Sequence, residues 1–260
     1  MFELLKVEWL KIKNYKTFWI LSALFIIAVF GLNTIVYNIK LEVDKADPVL
    51  KAMLSSPFDY PQVWQTVSWV STWLLFFPGF IMIFLITNEY TFRTHRQNII
   101  DGWSRKQFVG IKLFMGFLLA LICTTLTMIA GLIFGQISAS EFSAEKMENI
   151  LYFFLTAMIY ILFAMTLAFL FRRAALAVGI FFIYGLIFDN LISSYINSKT
   201  QTPIGSYIAP LQVADSLLPI PFLKQLLPNQ PVLWIALVIT LAWIVIYHIF
   251  MIRKVEREDL

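Results

Sequence analysis

The chain has 260 residues, of which 60% are hydrophobic and only 14% are charged. A soluble domain of this length needs more charge on its surface, so the composition excludes an ordinary soluble protein. The apolar residues instead form blocks long enough to cross, as helices, a hydrocarbon core about 30 Å thick, which takes roughly 20 residues per crossing.

These blocks predict an all-α integral membrane protein with six transmembrane helices. They cover about 17–37, 67–87, 110–134, 150–171, 174–192 and 232–252. Before the first block, residues 1–16 place Leu5, Trp9 and Ile12 at helical spacing with lysines on other faces, which predicts an amphipathic helix in the membrane interface. We expect residues 1–260 to form one transmembrane domain.

The polar stretch 88–108, NEYTFRTHRQNIIDGWSRKQF, separates the second block from the third. Thr91 is expected to cap a short helix here, and four residues would share one face of that helix. These residues are Phe92, Arg96, Ile99 and Ile100. Such a helix would lie along the membrane surface and present a rigid, protruding surface to a partner. The alternative is a solvated basic loop that serves only to orient the chain.

Signals for a helix end and a helix start follow directly. Asp101 and Gly102 are expected to end the short helix, with Gly102 in the left-handed conformation. Ser104 and Gln107 have the spacing of a capping box, which predicts that the next helix starts at this point.

The segment 193–230, between the fifth and sixth blocks, is apolar but cannot cross a membrane. It carries only three charges, and five prolines cut it into short pieces. We expect short re-entrant helices that enter the outer leaflet and pack on the bundle, because irregular backbone at that depth must be covered by protein. An ordinary surface loop is the alternative.

Lysine and arginine residues predict the orientation. With both termini inside, the inner segments hold 14 of the 20 basic residues. Because basic residues favour the cytoplasmic side, we expect both termini and residues 88–108 in the cytoplasm. The net charge of +4 then reflects topology, and no basic run interleaved with aromatic residues indicates a nucleic-acid partner.

The junction of the second and third spans contains Glu89, Thr91, Arg96, Asp101–Gly102 and Ser104–Arg105. This pattern resembles the first cytoplasmic loop of type-2 ABC exporter permeases. The order of features over almost the whole chain is similar too: an interfacial helix, six spans, a short inner turn between spans four and five, and re-entrant helices after span five. The chain differs from larger members in having no fused nucleotide-binding domain and no large extracellular domain.

The resemblance implies that residues 88–108 hold a coupling helix, which docks into a groove on an ABC ATPase. The residues implied in coupling are Glu89, Thr91, Phe92, Arg93, Arg96, Ile99, Ile100, Asp101, Gly102 and Arg105. Glu89 is expected to lie near Arg93 or Arg96, or near a helix N-terminus, and so to brace the coupling helix.

The resemblance also implies the assembly and its location. Two permease subunits, identical or paralogous, would pair in the lipids of a bacterial inner membrane above two copies of the ATPase. ATP and Mg would bind to the ATPase, because this chain has no G-x-x-x-x-G-K-[ST] motif and is expected to bind no cofactor. The cargo is expected to be amphipathic: a lipid, a peptide antibiotic or a drug-like molecule.

Asp189 is the one carboxylate inside a predicted span, where a charge needs a polar partner or a water-filled cavity. It is either a hydrogen-bonded anchor, a group on the export path, or a proton-linked group in a secondary transporter. A secondary transporter is the alternative function, and only Pro78–Gly79 suggests the broken helix typical of that class. The residues expected to line the translocation path are Trp73, Phe77, Phe80, Phe188 and Asp189.

An intramembrane enzyme is disfavoured. No Gly-x-Ser-x-Gly motif is present, and the two histidines, His95 and His248, are far apart in the sequence. A metal site would need clustered His, Cys, Asp or Glu residues.

Overall fold

A computed structural model describes residues 2–46, 57–100, 102–138, 140–221 and 231–257. Within these ranges every regular element is helical, which confirms the all-α prediction. In chain order the elements are α1 (Phe2–Lys13), α2 (Lys16–Ala46), α3 (Gln62–Thr72), α4 (Phe76–Thr91), α5 (Thr94–Ile100), α6 (Arg105–Ile137), α7 (Glu148–Phe171), α8 (Ala174–Ile183), a π-helix (Tyr184–Phe188), α9 (Asp189–Thr200), α10 (Ile204–Ile208), α11 (Pro210–Asp215) and α12 (Leu233–Glu256).

Five of the described helices are long and apolar enough to cross a membrane. They are α2, α6, α7, the continuous helix Ala174–Thr200 and α12. The pair α3 and α4 also qualifies as one crossing, but it is bent by 44°. The predicted span 67–87 is therefore not one straight helix. Pro78 explains the break, because proline in the first turn of α4 cannot donate the hydrogen bond that would continue the helix from α3.

The helix α7 lies at the centre of the bundle and contacts α3, α4, α6, α8, α11 and α12. Its neighbours α4 and α8 approach each other closely at Gly79. A Cβ atom at that position would overlap the ring of Phe181, so only glycine permits this approach. The buried aromatic rings of Phe76 and Tyr160, stacked edge to face with centroids 5.7 Å apart, fill the adjacent space.

The predicted fifth span, 174–192, is part of a continuous helix that extends to Thr200. A π-helical turn over Tyr184–Phe188 interrupts its regular winding, and Asp189 follows directly. Such turns insert one residue into a helix and are frequent at functional sites. Here the insertion turns Asp189 towards α11, where its carboxylate accepts a hydrogen bond from the backbone N–H of Gln212 at 2.5 Å.

The segment after α9 contains α10 and α11, which pack on the long helices. Leu211, Val213 and Ala214 of α11 are buried, and the carbonyl of Ala214 accepts a hydrogen bond from the hydroxyl of Thr156 in α7 at 3.0 Å. Short packed helices therefore occur in this part of the predicted segment 193–230. Residues 222–230 lie outside the described residues, and entry of the helices into the outer leaflet stays a prediction.

Candidate functional site

Charged side chains from three helices meet at the end of the bundle that holds α1. We call them the charge cluster: Glu8 and Lys11 of α1, Glu89 of α4 and Lys112 of α6. The ammonium of Lys112 lies 2.5 Å from a carboxylate oxygen of Glu8 and 2.5 Å from one of Glu89. The ammonium of Lys11 lies 2.8 Å from Glu8 and 2.9 Å from Glu89. Each cation thus contacts both anions.

Lys112, Glu8 and Glu89 of the charge cluster are almost fully buried, with exposed fractions of 1%, 2% and 4%. Isolated charges at such depth are very costly, and the cluster avoids that cost because its two ammonium groups balance its two carboxylates. Removing one member would leave a buried charge without compensation. The cluster therefore ties α1, α4 and α6 together in one arrangement.

The charges of the cluster also support one another electrostatically. Burial opposes the charged form of Lys11, but the carboxylates of Glu89 and Glu8 outweigh it, so the pKa of Lys11 is raised. Burial would raise the pKa of Glu8, but Lys112 and Lys11 outweigh that effect, so this pKa is lowered. Both groups of α1 are thus held in their charged forms.

The expected pairing of Glu89 with Arg93 or Arg96 is wrong. Glu89 lies on the buried face of the last turn of α4, whereas Arg93 lies at the chain reversal, Arg96 lies beyond it, and both are exposed. The missed partner, Lys112, lies inside the predicted third span. A lysine there needs a buried anion, and this was the available signal in the sequence.

A separate short helix does form within 88–108: α5, at Thr94–Ile100. Thr91 does not cap it, which corrects the prediction. Thr91 is the last residue of α4, and its hydroxyl donates to the carbonyl of Thr87 at 3.0 Å. The chain reverses instead at Arg93, which has a left-handed φ of 56°.

The predicted end of this helix and start of the next are confirmed for the described residues. Gly102 has a φ of 98°, in the region that favours glycine. Ser104 and Gln107 form the capping box: the Ser104 hydroxyl accepts from the Gln107 N–H at 3.2 Å, and the Gln107 side chain accepts from the Ser104 N–H at 2.8 Å. Asp101 lies outside the described residues.

The surface of the α4–α5 corner is apolar at two points. Phe92 is 72% exposed and Ile100 is 77% exposed, and Arg96 between them is also exposed. Ile99, predicted on the same face, is only half-exposed, because the opposite side of α5 packs inward at Asn98. The exposed face therefore consists of Phe92, Arg96 and Ile100.

Arg105 faces a different element from the rest of the predicted coupling set. Its guanidinium donates to the backbone carbonyl of Glu256 at 2.7 Å, and the neighbouring Lys106 pairs with the Glu256 carboxylate at 3.2 Å. These contacts fasten the last turn of α12 beside the start of α6. Arg105 thus lies at the same end of the bundle as α5 without sharing its exposed face.

Beside α5 lies a polar cavity of about 470 Å³, which we call the arginine pocket. Its lining residues are Tyr90, Thr91, Arg93, His95, Arg96, Phe171, Arg172 and Arg173. The guanidinium of Arg172 lies over the ring of Tyr90, 5.3 Å from its centroid. Nδ1 of His95 donates to the backbone carbonyl of Glu89 at 3.0 Å. The wall of the pocket at His95 therefore lies next to the charge cluster.

The residues expected to line a translocation path have different environments. Trp73 and Phe188 are 60% and 50% exposed, at the bend between α3 and α4 and at the end of the π-helix. Phe77 and Phe80 are partly buried, and Asp189 is buried with one carboxylate oxygen lacking a hydrogen-bond partner. The path itself stays a prediction.

Comparison with known proteins identifies the family. A model of the ABC-2 family transporter proteins matches residues 4–188, which include the charge cluster, α5 and the arginine pocket. No curated protein and no solved structure matches the chain. The match and the long apolar helices together indicate a multi-pass membrane protein that serves as a transport subunit and is not itself a catalytic enzyme. The chain belongs to the ABC-2 family of transporter proteins.

Proposed function

We propose that this chain is the permease subunit of an ATP-driven exporter, with six membrane spans, α1 in the inner interface and α10–α11 re-entrant from the outside. The bent pair α3 and α4 forms the second span, and both termini are cytoplasmic in a bacterial inner membrane. Two permease subunits, identical or paralogous, work with two copies of a separate ABC ATPase, which binds ATP and Mg. Permeases of this family typically work with an ATPase, which supports such a partner in kind.

The exposed face of α5 is the observation that carries this proposal. Phe92 and Ile100 are large apolar residues with about three quarters of their surface exposed, in a loop that lies outside the long apolar helices. Exposed apolar groups around a basic residue are typical of a surface that a partner covers. In the proposed orientation they face the cytoplasm, where the ATPase binds, with α5 as the coupling helix.

The charge cluster gives this docking surface a mechanical connection to the bundle. Glu89 belongs to the last turn of α4, directly before the corner that leads into α5, and it contacts Lys11 of α1 and Lys112 of α6. Because separating buried ion pairs is costly, a displacement of the coupling helix moves the ends of all three helices together. ATP-driven closure of the ATPase can thus tilt the spans rather than bend the loop alone.

In the proposed orientation, several basic residues lie at the cytoplasmic end of the bundle. Arg105 contacts the end of α12, and the last turn of that helix carries Arg253 and Lys254. The two-residue connection between α7 and α8 is Arg172–Arg173. This distribution agrees with the preference of lysine and arginine for the cytoplasmic side.

Export of an amphipathic substrate would use aromatic surfaces between the two permease subunits. Trp73 and Phe188 are exposed on this chain, while Phe77 and Phe80 line the interior side of the bent span. Asp189 holds α11 to the fifth span through the Gln212 N–H, so a substrate leaving at this end would pass α11. We propose these five residues as the wall of the export path.

The test is co-purification with an ABC ATPase from the same organism, co-expressed with this chain. We expect the wild-type chain to bind that ATPase and to stimulate its ATP turnover in lipid nanodiscs. The variant Phe92→Glu/Ile100→Glu should lose binding at least tenfold, because charged residues replace the apolar face. Phe92→Leu/Ile100→Leu is the matched control and should bind normally.

Two outcomes would contradict the proposal. Full ATPase binding and stimulation by the double glutamate variant would show that α5 is not the docking surface. Transport by the purified chain alone, driven by an ion gradient in liposomes without any ATPase, would instead establish the secondary transporter.

A further inference from the structure

We propose that the arginine pocket binds the phosphate group of an anionic phospholipid from the cytoplasmic leaflet. The assignment to this leaflet rests on the orientation given under the proposed function. The pocket is formed by two separate parts of the chain, the α4–α5 corner and the α7–α8 connection, and each part contributes a pair of arginines. It therefore exists only in the folded bundle and is not a feature of one basic run.

Three arginines of the pocket carry a positive charge that no carboxylate of the described residues pairs with. They are Arg93, Arg96 and Arg173. The described carboxylate closest in sequence to Arg93, Glu89, is bound by Lys11 and Lys112. Several guanidinium groups around one cavity of about 470 Å³ repel one another and attract an anion.

The backbone of the pocket indicates that its arginines serve more than topology. Arg93 and Arg172 both have left-handed φ angles, of 56° and 54°. Glycine or asparagine adopts this conformation at a helix end at lower cost than arginine does. Arginine at position 93 therefore has a backbone cost that an anion bound by its guanidinium would offset.

The depth of the pocket favours a lipid over a soluble partner. Arg172 and Arg173 are the only residues between the apolar helices α7 and α8, and in the proposed orientation this connection lies at the cytoplasmic membrane surface. Their guanidinium groups would then lie close to the lipid headgroups. Phe171 and Tyr90 line the same cavity, and aromatic rings of this kind lie at the level of the headgroups in membrane proteins.

The chemistry of arginine fits a phosphate group. A guanidinium can donate two parallel hydrogen bonds to two phosphate oxygens, and the planar fork is already organised for this contact. Basic pockets between transmembrane helices on the cytoplasmic side bind anionic headgroups in this way.

The experiment uses the full chain in detergent and in nanodiscs, with dioleoylphosphatidylglycerol as the anionic lipid and dioleoylphosphatidylcholine as the neutral one. We expect native mass spectrometry to show phosphatidylglycerol retained on the wild-type chain and this lipid to raise its Tm. The variant Arg172→Gln/Arg173→Gln should bind phosphatidylglycerol at least tenfold more weakly. The single variant Arg96→Gln, on the other wall of the pocket, should also lower the affinity for phosphatidylglycerol. It provides the test if the double variant fails to fold.

Lys13→Gln/Lys16→Gln is the matched control, because it removes two exposed cations near the same membrane surface but outside the pocket. It should retain the lipid. Equal retention of phosphatidylglycerol by the pocket variants and the wild type would overturn the proposal. Equal binding of phosphatidylcholine, or saturation of the pocket by soluble glycerol phosphate, would overturn the assignment to an anionic lipid.

ATPase binding separates this inference from the proposed function. The Arg172→Gln/Arg173→Gln variant keeps Phe92 and Ile100, so it should still bind the ATPase. If it loses the ATPase but retains phosphatidylglycerol, the arginines contact the partner protein and the lipid proposal fails. If Phe92→Glu/Ile100→Glu retains both partners, the docking proposal fails while the lipid site stands.

Discussion

The two ends of the bundle hold their buried carboxylates in different ways. At the end with α1, Glu8 and Glu89 contact two lysines, and each cation is shared between both anions. At the other end, Asp189 accepts a hydrogen bond from the backbone of α11, and Asp215 accepts one from the hydroxyl of Tyr160 at 3.0 Å. No salt bridge to either aspartate occurs among the described residues.

This difference matches the different mechanical roles that we propose for the two ends. Mutually compensating charges resist separation, so the end with α1 is suited to transmit a displacement from the coupling helix. At the other end, Asp189 and Asp215 have hydrogen bonds to uncharged groups and no described ion pair, although one oxygen of each, like Oε2 of Glu89, lacks a hydrogen-bond partner. Hydrogen bonds to uncharged groups are easier to exchange than shared buried ion pairs, so this end is suited to open when a substrate leaves.

The largest expected effect is at Lys112. Lys112→Met leaves Glu8 and Glu89 with Lys11 as the only cation of the cluster, and an uncompensated buried charge costs about 3–5 kcal/mol. We expect the free energy of unfolding to fall by that amount and ATPase stimulation to be lost. Unfolding in detergent, followed by circular dichroism, measures the first effect.

Lys106→Met is the matched control for this lysine. Lys106 is exposed and pairs with Glu256 at 3.2 Å, and such a surface pair contributes about 1 kcal/mol or less. Glu89→Gln in the Lys112→Met background should recover part of the lost stability, because it removes one of the two anions. Equal stability of Lys112→Met and the wild type would show that the cluster does not hold the helices.

Glu8 adds a pH dependence to the same end. Because its pKa lies below the usual value of 4.5, its charged form stabilises the fold above that pH, and this contribution is lost as the pH falls through the lowered pKa. Glu8→Gln should therefore cost about 3 kcal/mol at pH 7 and progressively less in acid. Thermal unfolding of both proteins at pH 7 and at about pH 4 tests this, and a constant difference in Tm would contradict it.

Asp189 tests the other end. Asp189→Ala removes the acceptor for the Gln212 N–H, and leaving a buried donor unsatisfied costs about 1–3 kcal/mol. We expect this loss to be smaller than at Lys112 and confined to α11, so amides 211–215 should exchange faster with deuterium. Asp189→Asn, which retains an acceptor oxygen, is the control. Faster exchange around Glu89 as well would show that the two ends are not independent.

Helix type and much of the detail at α5 follow from local signals in the sequence. The left-handed glycine at 102 and the capping box at Ser104 and Gln107 depend on residues a few positions apart, so their pattern is visible without the fold. Pro78–Gly79 suggests a break in the second span, but a long apolar block alone cannot distinguish a straight helix from two helices with a bend between them.

The charge cluster could not be derived from the sequence in the same way. Its members lie on three helices, and Glu8 and Lys112 are 104 residues apart. Lys112 lies within an apolar block, where a lysine needs a buried anion, but the sequence does not show which carboxylates supply it. Arg93 and Arg96 are the basic residues nearest to Glu89 in the sequence, but the chain reversal at Arg93 leaves both exposed.

The smallest effect concerns the link from the charge cluster to the coupling helix. Gly102 has a φ of 98°, and a side chain there is strained even though no atom lies within 4 Å of an added Cβ. Gly102→Ala should therefore cost about 1 kcal/mol.

Gly110 provides the matched control, because it lies inside α6 and an added Cβ there also meets nothing within 4 Å. Gly110→Ala should stabilise the fold by up to about 1 kcal/mol through helix propensity. The two variants have the same side chain and the same open surroundings, so a difference in sign isolates the backbone conformation at 102. Because the strain lies between α5 and α6, Gly102→Ala should also weaken ATPase stimulation, whereas Gly110→Ala should not. Equal effects of the two variants on stimulation would show that the orientation of α5 does not depend on this turn, and that the charge cluster alone positions the coupling helix.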